Sequence, residues 1–119
     1  MIKKVAFIGH RVNDMERAKK FYGELLGLPQ TAEFEGKWVE FDTPDGKSIA
    51  LEMFSPEGNP PYMALETDDI EAEVARLKEA GVQVVLDTQD NKVCKMAIVQ
   101  DGVGNNVMLH EIAPERAKD

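Results

Sequence analysis

The sequence predicts an α+β domain made of a βαβββ unit repeated twice in tandem, with two four-stranded sheets set around a cleft. Three observations predict it. Asp14 and Asp69 each stand just ahead of an apolar stripe with helical spacing, and Gly27 and Gly81 stand just after those stripes. Three extended segments broken by turn residues follow each stripe, and Asp45-Gly46 and Val103-Gly104 precede the last of each set. The two blocks, 3–54 and 62–113, are of nearly equal length and are joined by the Pro/Gly-rich stretch 55–61.

Residues 3–12 read as a strand, because Val5 to Ile8 is apolar with a β-branched bias. Asn13 and Asp14 offer side-chain oxygens as a cap, and Glu16 stands three residues after Asn13, as a capping box requires. Met15, Ala18, Phe21, Tyr22, Leu25 and Leu26 then fall on one helical face. Gly27 suits a left-handed helix end, and Pro29 prevents continuation. Strands are expected at 31–35, 38–43 and 48–54, separated by Gly36-Lys37 and by Pro44-Asp45-Gly46; proline presets the first turn dihedral and glycine accepts positive φ.

The second block repeats the order. Residues 62–67 read as a strand, Asp68-Asp69 as a cap, and Ile70, Val74 and Leu77 as a helical stripe ending at Gly81. Strands are expected at 82–87, 92–100 and 106–112, with turns at 88–91 and 101–105. The tail 114–119 is polar and expected to fray. Glu16, Glu24, Glu71, Glu73 and Glu79 fall on helical segments and are expected on solvated faces.

Composition narrows the function classes. At 119 residues the chain is one domain by size, and 22 acidic against 14 basic side chains leave a formal charge of −8. That charge argues against a nucleic-acid partner and against anionic membrane surfaces, since both need Lys and Arg to neutralise phosphate. No apolar run reaches the length of a membrane span. The single Cys94 allows no internal disulfide, and nothing at the start of the sequence reads as an export signal, so a cytoplasmic location is expected.

The run Val12-Asn13-Asp14-Met15-Glu16-Arg17-Ala18-Lys19-Lys20-Phe21-Tyr22, with Leu25-Leu26-Gly27-Leu28 after it, resembles the opening of the vicinal oxygen chelate superfamily. That superfamily holds glyoxalase I, extradiol dioxygenases, fosfomycin-resistance enzymes and bleomycin-binding proteins. Asp101 to Leu109 is similar to its D-P-D-G-N-x-[IV]-E-L segment, with Gly102 and Val103 in place of Pro-Asp. The resemblance covers residues 3 to 112 and implies the glyoxalase/bleomycin resistance/dihydroxybiphenyl dioxygenase fold. It also implies a small-molecule ligand and a homodimer. In metal-using relatives, His and Glu on the first and last strands of each half hold Zn, Ni or Fe. The matching positions here are Phe7, Glu52, Tyr62 and Met108, of which Glu52 alone is a credible ligand.

The expected function is therefore a metal-independent small-molecule binder with no cofactor. The alternative is a glyoxalase-type lyase, or a related enzyme, that uses a divalent metal such as Zn, Ni or Fe on His10, Glu52 and His110. Strand alternation places Phe7, Trp38, Glu52, Tyr62, Met108 and His110 toward the cleft as ligand-binding residues. Glu52, between Leu51 and Met53, is the candidate catalytic group, because a carboxylate is costly to bury unless it is paired or wet. His10 has the opposite parity from Phe7 and joins Glu52 only through a bulge. Cys94 has no His and no helix N-terminus near it in sequence, and is expected to be a small, half-buried hydrophobe.

Overall fold

The structure is a computed structural model and describes residues 1–114; of the expected frayed tail, residues 115–119 lie outside the described residues. The chain runs β1 (Ile2–Arg11), α1 (Met15–Lys19), a π-helical stretch (Lys20–Leu25), β2 (Gln30–Phe34), β3 (Trp38–Asp42), β4 (Ser48–Glu52), β5 (Tyr62–Thr67), α2 (Ile70–Glu79), β6 (Val84–Asp90), β7 (Cys94–Gln100) and β8 (Asn106–Ile112). This is the α+β order expected from the repeat. Two compact units form: Phe7–Pro61, and the residues from Tyr62 onward together with Met1–Ala6.

Each unit has the same strand plan. In the first, β1 pairs in parallel with β4, and β4, β3 and β2 follow antiparallel. In the second, β5 pairs in parallel with β8, and β8, β7 and β6 follow antiparallel. The helix of each unit covers one sheet face. Met15 of α1 packs with Val39, Phe41 and Leu51; Ile70 and Val74 of α2 pack with Ala97, Val99 and Leu109. Residues of opposite parity on the same strands point away from the helix.

Several boundaries move for local reasons. The cap of α1 is Asp14, whose side chain accepts from the Arg17 amide, so the capping box expected from Asn13 is not used. The helix then widens, with Leu26 N–H donating to the Phe21 carbonyl and Leu28 N–H to that of Tyr22. Asp69 caps α2 on the Ala72 amide. Gly81 ends α2 at φ +86°, while Val82 N–H returns to the Leu77 carbonyl, so Val82 belongs to the helix end and β6 begins only at Val84. The same strand runs on to Asp90 through two register shifts against β7. β4 stops at Glu52 because that carboxylate binds the amides of Phe54 and Ser55 and turns the chain. Among the described residues no helix is long and apolar enough to cross a membrane.

One acidic expectation is overturned. Glu73 is buried, 6% exposed, and not on a solvated face: its carboxylate takes the Arg76 guanidinium at 3.0 Å and the Met1 amino group at 3.3 Å.

Candidate functional site

In the first unit the face away from α1 carries Phe7 and Arg11 from β1, Trp38 and Glu40 from β3, and Ala50 and Glu52 from β4. Register fixes this arrangement, since Trp38 pairs with Glu52, Glu40 with Ala50, and Arg11 with Glu52. The Phe7 and Trp38 rings meet edge to face, with centroids 5.4 Å apart at 88°. The Trp38 indole N–H donates to Glu40 Oε2 at 2.7 Å, which orients the ring.

Glu52 is 2% exposed. Its Oε1 accepts from the amides of Phe54 and Ser55, both at 2.9 Å, and its Oε2 from the Ser55 hydroxyl at 2.8 Å. Arg11 donates from Nε to the Ser55 carbonyl at 2.7 Å. The carboxylate thus organises the chain leaving β4. His10 pairs in register with Leu51 and so takes the α1 face, whereas Glu52 takes the other; no bulge brings the two together.

In the second unit the face away from α2 carries Tyr62, Ala64 and Glu66 from β5, Cys94, Met96 and Ile98 from β7, and Met108, His110 and Ile112 from β8. Ala64 pairs with Met108 and Glu66 with His110; Ile98 pairs with Met108, Met96 with His110, and Cys94 with Ile112. Met108 is 7% exposed and Ala64 is fully buried. Glu66, also 7% exposed, is shared between two strands. Its Oε1 lies 2.6 Å from His110 Nδ1, and its Oε2 accepts from the Ile112 amide at 2.8 Å.

Register places Cys94 on this same face, one pair along β7 from Met96, which pairs with His110; the Cys94 backbone amide donates to Asn91 Oδ1 at 2.8 Å. Burial lowers the affinity of His110 for a proton, but the nearby Cys94 side chain and the bond to Glu66 outweigh it and hold the imidazole above its ordinary 6.5. Burial pushes the Cys94 thiol up, and the polar side chains of His110 and Asn91 beside it more than reverse this, so the thiol lies below its ordinary 9.0. Cys94 is half-buried, as its place in the sequence suggested, and strand pairing brings an imidazole from 16 positions further on to the same face. Glu66 was absent from the sequence-based candidates, although its parity with Tyr62 and Ala64 on one strand was the signal that could have found it.

Two open grooves lie beside the helices, of about 400 Å³ at α2 and about 810 Å³ at the start of α1. Neither is lined by Phe7, Trp38, Glu52, Tyr62, Met108 or His110.

A duplicated βαβββ chain with a helix on one face of each sheet defines the class: an α+β protein that leaves the strand faces opposite its helices to side chains such as Glu52, Glu66 and His110. The chain belongs to the Glyoxalase/Bleomycin resistance protein/Dioxygenase superfamily, whose profile it matches over residues 4–109. No curated protein matches it. Its fold is similar to that of methylmalonyl-CoA epimerase from Mycobacterium tuberculosis, at 20% identity with a TM-score of 0.80, covering 96% of this chain and 91% of that one. A hypothetical protein from Bacillus halodurans C-125 gives 20% and 0.79, with 98% of each chain covered. A superfamily member from Vibrio splendidus 12B01 gives 20% and 0.68, covering 93% of this chain and 99% of that one.

The divalent metal implied by the superfamily resemblance does not fit these residues. Phe7 offers no donor, Met108 only a buried thioether, and both oxygens of Glu52 are already bound within the turn after β4. Among the described residues no three His, Cys, Asp or Glu side chains gather so as to hold a metal ion, and His10, Glu52 and His110 do not constitute such a group.

Proposed function

We propose that the protein is a metal-independent small-molecule binder of the bleomycin resistance type, and that its ligand is an organic cation with an aromatic or flat portion. One observation carries this reading: the four strand positions that hold metal in the resemblance are Phe7, Tyr62, Met108 and a Glu52 whose oxygens accept from two backbone amides and the Ser55 hydroxyl. The paired rings of Phe7 and Trp38 offer apolar faces to a flat ligand, and a cation is further drawn to a tryptophan face. Glu40, which holds the indole, and the overall charge of −8 favour a positive ligand over a negative one. A homodimer, a cytoplasmic location and the absence of a nucleic-acid partner belong to the same proposal.

Trp38 is the single tryptophan of the chain, so its fluorescence reports binding directly. Titration with bleomycin-like cationic compounds is expected to change that emission saturably and to raise the melting temperature, and Trp38→Leu is expected to weaken binding at least tenfold. Metal analysis of the purified protein decides against the alternative. Stoichiometric Zn, Ni or Fe that is lost in Glu52→Gln would overturn the binder reading and support a glyoxalase-type lyase.

A further inference from the structure

We propose that the groove at the start of α1 is a binding site for a free α-amino acid with an aromatic side chain, held as its zwitterion. The groove measures about 810 Å³, within the roughly 300–1,000 Å³ usual for small-molecule sites. Its walls carry two guanidiniums, Arg11 and Arg17, two carboxylates, Asp14 and Glu57, and the rings of Phe21 and Tyr22. All six residues belong to the unit Phe7–Pro61. Neither Phe7 nor Trp38 lines the groove, so this inference does not rest on the binder reading.

Four charges, two of each sign, line one groove, and among the described residues none of the four closes an ion pair. Elsewhere exposed charges of this chain do pair, as Lys78 with Asp87 at 2.7 Å and Lys95 with Glu71 at 2.8 Å. Local bonds hold two of the four in place. Arg11 donates from Nε to the Ser55 carbonyl at 2.7 Å and from Nη1 to the Val12 carbonyl; both acceptors are neutral, so the charge is fixed without being cancelled. Its Nη2 makes no hydrogen bond among the described residues, which leaves charged donors for a carboxylate. Asp14 Oδ1 accepts from the Arg17 amide at 3.1 Å, and that cap ties the carboxylate to the main chain. Arg17 and Glu57 are exposed.

The lining selects the ligand class. A simple carboxylate would satisfy the guanidiniums and be repelled by Asp14 and Glu57; a simple amine would meet the reverse. An α-amino acid carries both charges on one carbon, so its carboxylate goes to Arg11 and Arg17 while its ammonium goes to Asp14 and Glu57. The rings set the side chain. Phe21 is 47% exposed and meets Tyr22 edge to face, with centroids 5.1 Å apart at 89°. Phe21 follows Arg17 by one helical turn, so the aromatic wall continues the charged one. A third ring laid on this pair covers apolar surface that now faces water.

A ¹H–¹⁵N chemical-shift titration of the full chain with L-phenylalanine tests the site. The expected dissociation constant is about 0.1–1 mM, which is what about a dozen non-hydrogen atoms gain in an open groove. Shifts are expected at the amides of 11–22 and 57–58. 3-Phenylpropanoate lacks the ammonium and phenethylamine lacks the carboxylate, so each is expected to bind about tenfold more weakly. Arg17→Gln is expected to weaken L-phenylalanine and 3-phenylpropanoate about threefold and to spare phenethylamine. Glu57→Gln is expected to weaken L-phenylalanine and phenethylamine and to spare 3-phenylpropanoate. Both substitutions fall on exposed side chains, so circular dichroism stays unchanged. Trp38→Leu leaves L-phenylalanine binding intact, which separates this site from the proposed cation site. No saturable shift up to about 20 mM L-phenylalanine, shifts gathered around Trp38 instead of the groove, or charge variants that affect all three compounds alike would overturn the proposal.

Discussion

Glu52 stands at a family metal position, yet its surroundings give it a structural task that a stability measurement can isolate. Glu52→Ala removes the acceptor of two backbone amides and one hydroxyl, at 2.9, 2.9 and 2.8 Å, from a residue that is 2% exposed. Hydrogen bonds to a charged group contribute about 1.5–3 kcal/mol each, and donors left without a partner add to the loss. Phe54 is more than half exposed and Ser55 lies on the same turn, so water reaches part of what is freed. The net cost is about 3 kcal/mol rather than the full sum of the bonds. For a domain of this size, 1 kcal/mol corresponds to roughly 4 °C, so the melting temperature falls by about 12 °C. Glu52→Gln keeps one carbonyl oxygen for the two amides and presents an amide nitrogen to a hydroxyl that can rotate to accept, so its cost is about 1 kcal/mol. Scanning calorimetry of the wild type and both variants gives the comparison. If Glu52→Ala melts within 2 °C of the wild type, the carboxylate does not hold the turn, and the argument against its serving as a metal ligand loses its main support.

Three further outcomes follow from single contacts. Leu51 is fully buried against Met15, Val39 and Phe41, so Leu51→Ala costs about 3 kcal/mol in urea unfolding at unchanged m-value; a loss under 1 kcal/mol would mean that the α1 core is not packed as described. Asp69→Ala removes the acceptor of the Ala72 amide at 3.1 Å and lowers stability by about 1 kcal/mol, whereas Asp69→Asn recovers most of it; an Asn variant no better than Ala would refute the cap. Glu73 is held below its ordinary 4.5 by its hydrogen bond to Arg76, with the Met1 amino group adding to the effect. A lowered carboxylate pKa stabilises the fold at pH above 4.5, and that stability is lost as pH falls through the lower folded value. Glu73→Gln is therefore expected to lose less stability than the wild type between pH 5 and pH 3, and equal losses in urea titrations would count against the pairing.

Much of the fold was legible because a repeat is redundant. Asp14 and Asp69 do cap their helices, Gly27 and Gly81 do take positive φ, and the parity of Ile49 and Leu51 against Ala50 and Glu52 sorts β4 into helix-facing and opposite faces. The errors arose where long-range contacts override local pattern. The end of β4 is set by a side chain reaching forward to Ser55, the start of β6 by an amide reaching back to Leu77, and the length of β6 by two register shifts that erase its alternation. The helix-surface position of Glu73 hid its burial, because cationic partners on Arg76 and the chain start make that burial tolerable. Cys94 shows the same limit: a histidine 16 residues away in sequence comes to its sheet face only through the pairing of β7 with β8.

The duplication also explains why position is more legible than role. The parallel strand pair of each unit carries a polar couple on the face away from its helix: Arg11 beside Glu52 in one, Glu66 beside His110 in the other. Arg11 and Glu66 stand 55 positions apart, the same offset as the capping aspartates 14 and 69. A carboxylate is therefore buried at this place in both halves, on β4 in one and on β5 in the other, at 2% and 7% exposure. Burial at such a place demands full hydrogen bonding, and no described buried side-chain nitrogen or oxygen lacks a partner. The two halves meet that demand differently. Glu52 spends its oxygens on the turn that follows its own strand, so its charge is consumed by structure. Glu66 divides its oxygens between a backbone amide and the His110 imidazole, so its charge faces a group that can itself carry a proton. Alternation along a strand assigns each carboxylate a face; only the partners it meets there separate the one that holds a turn from the one that holds an imidazole.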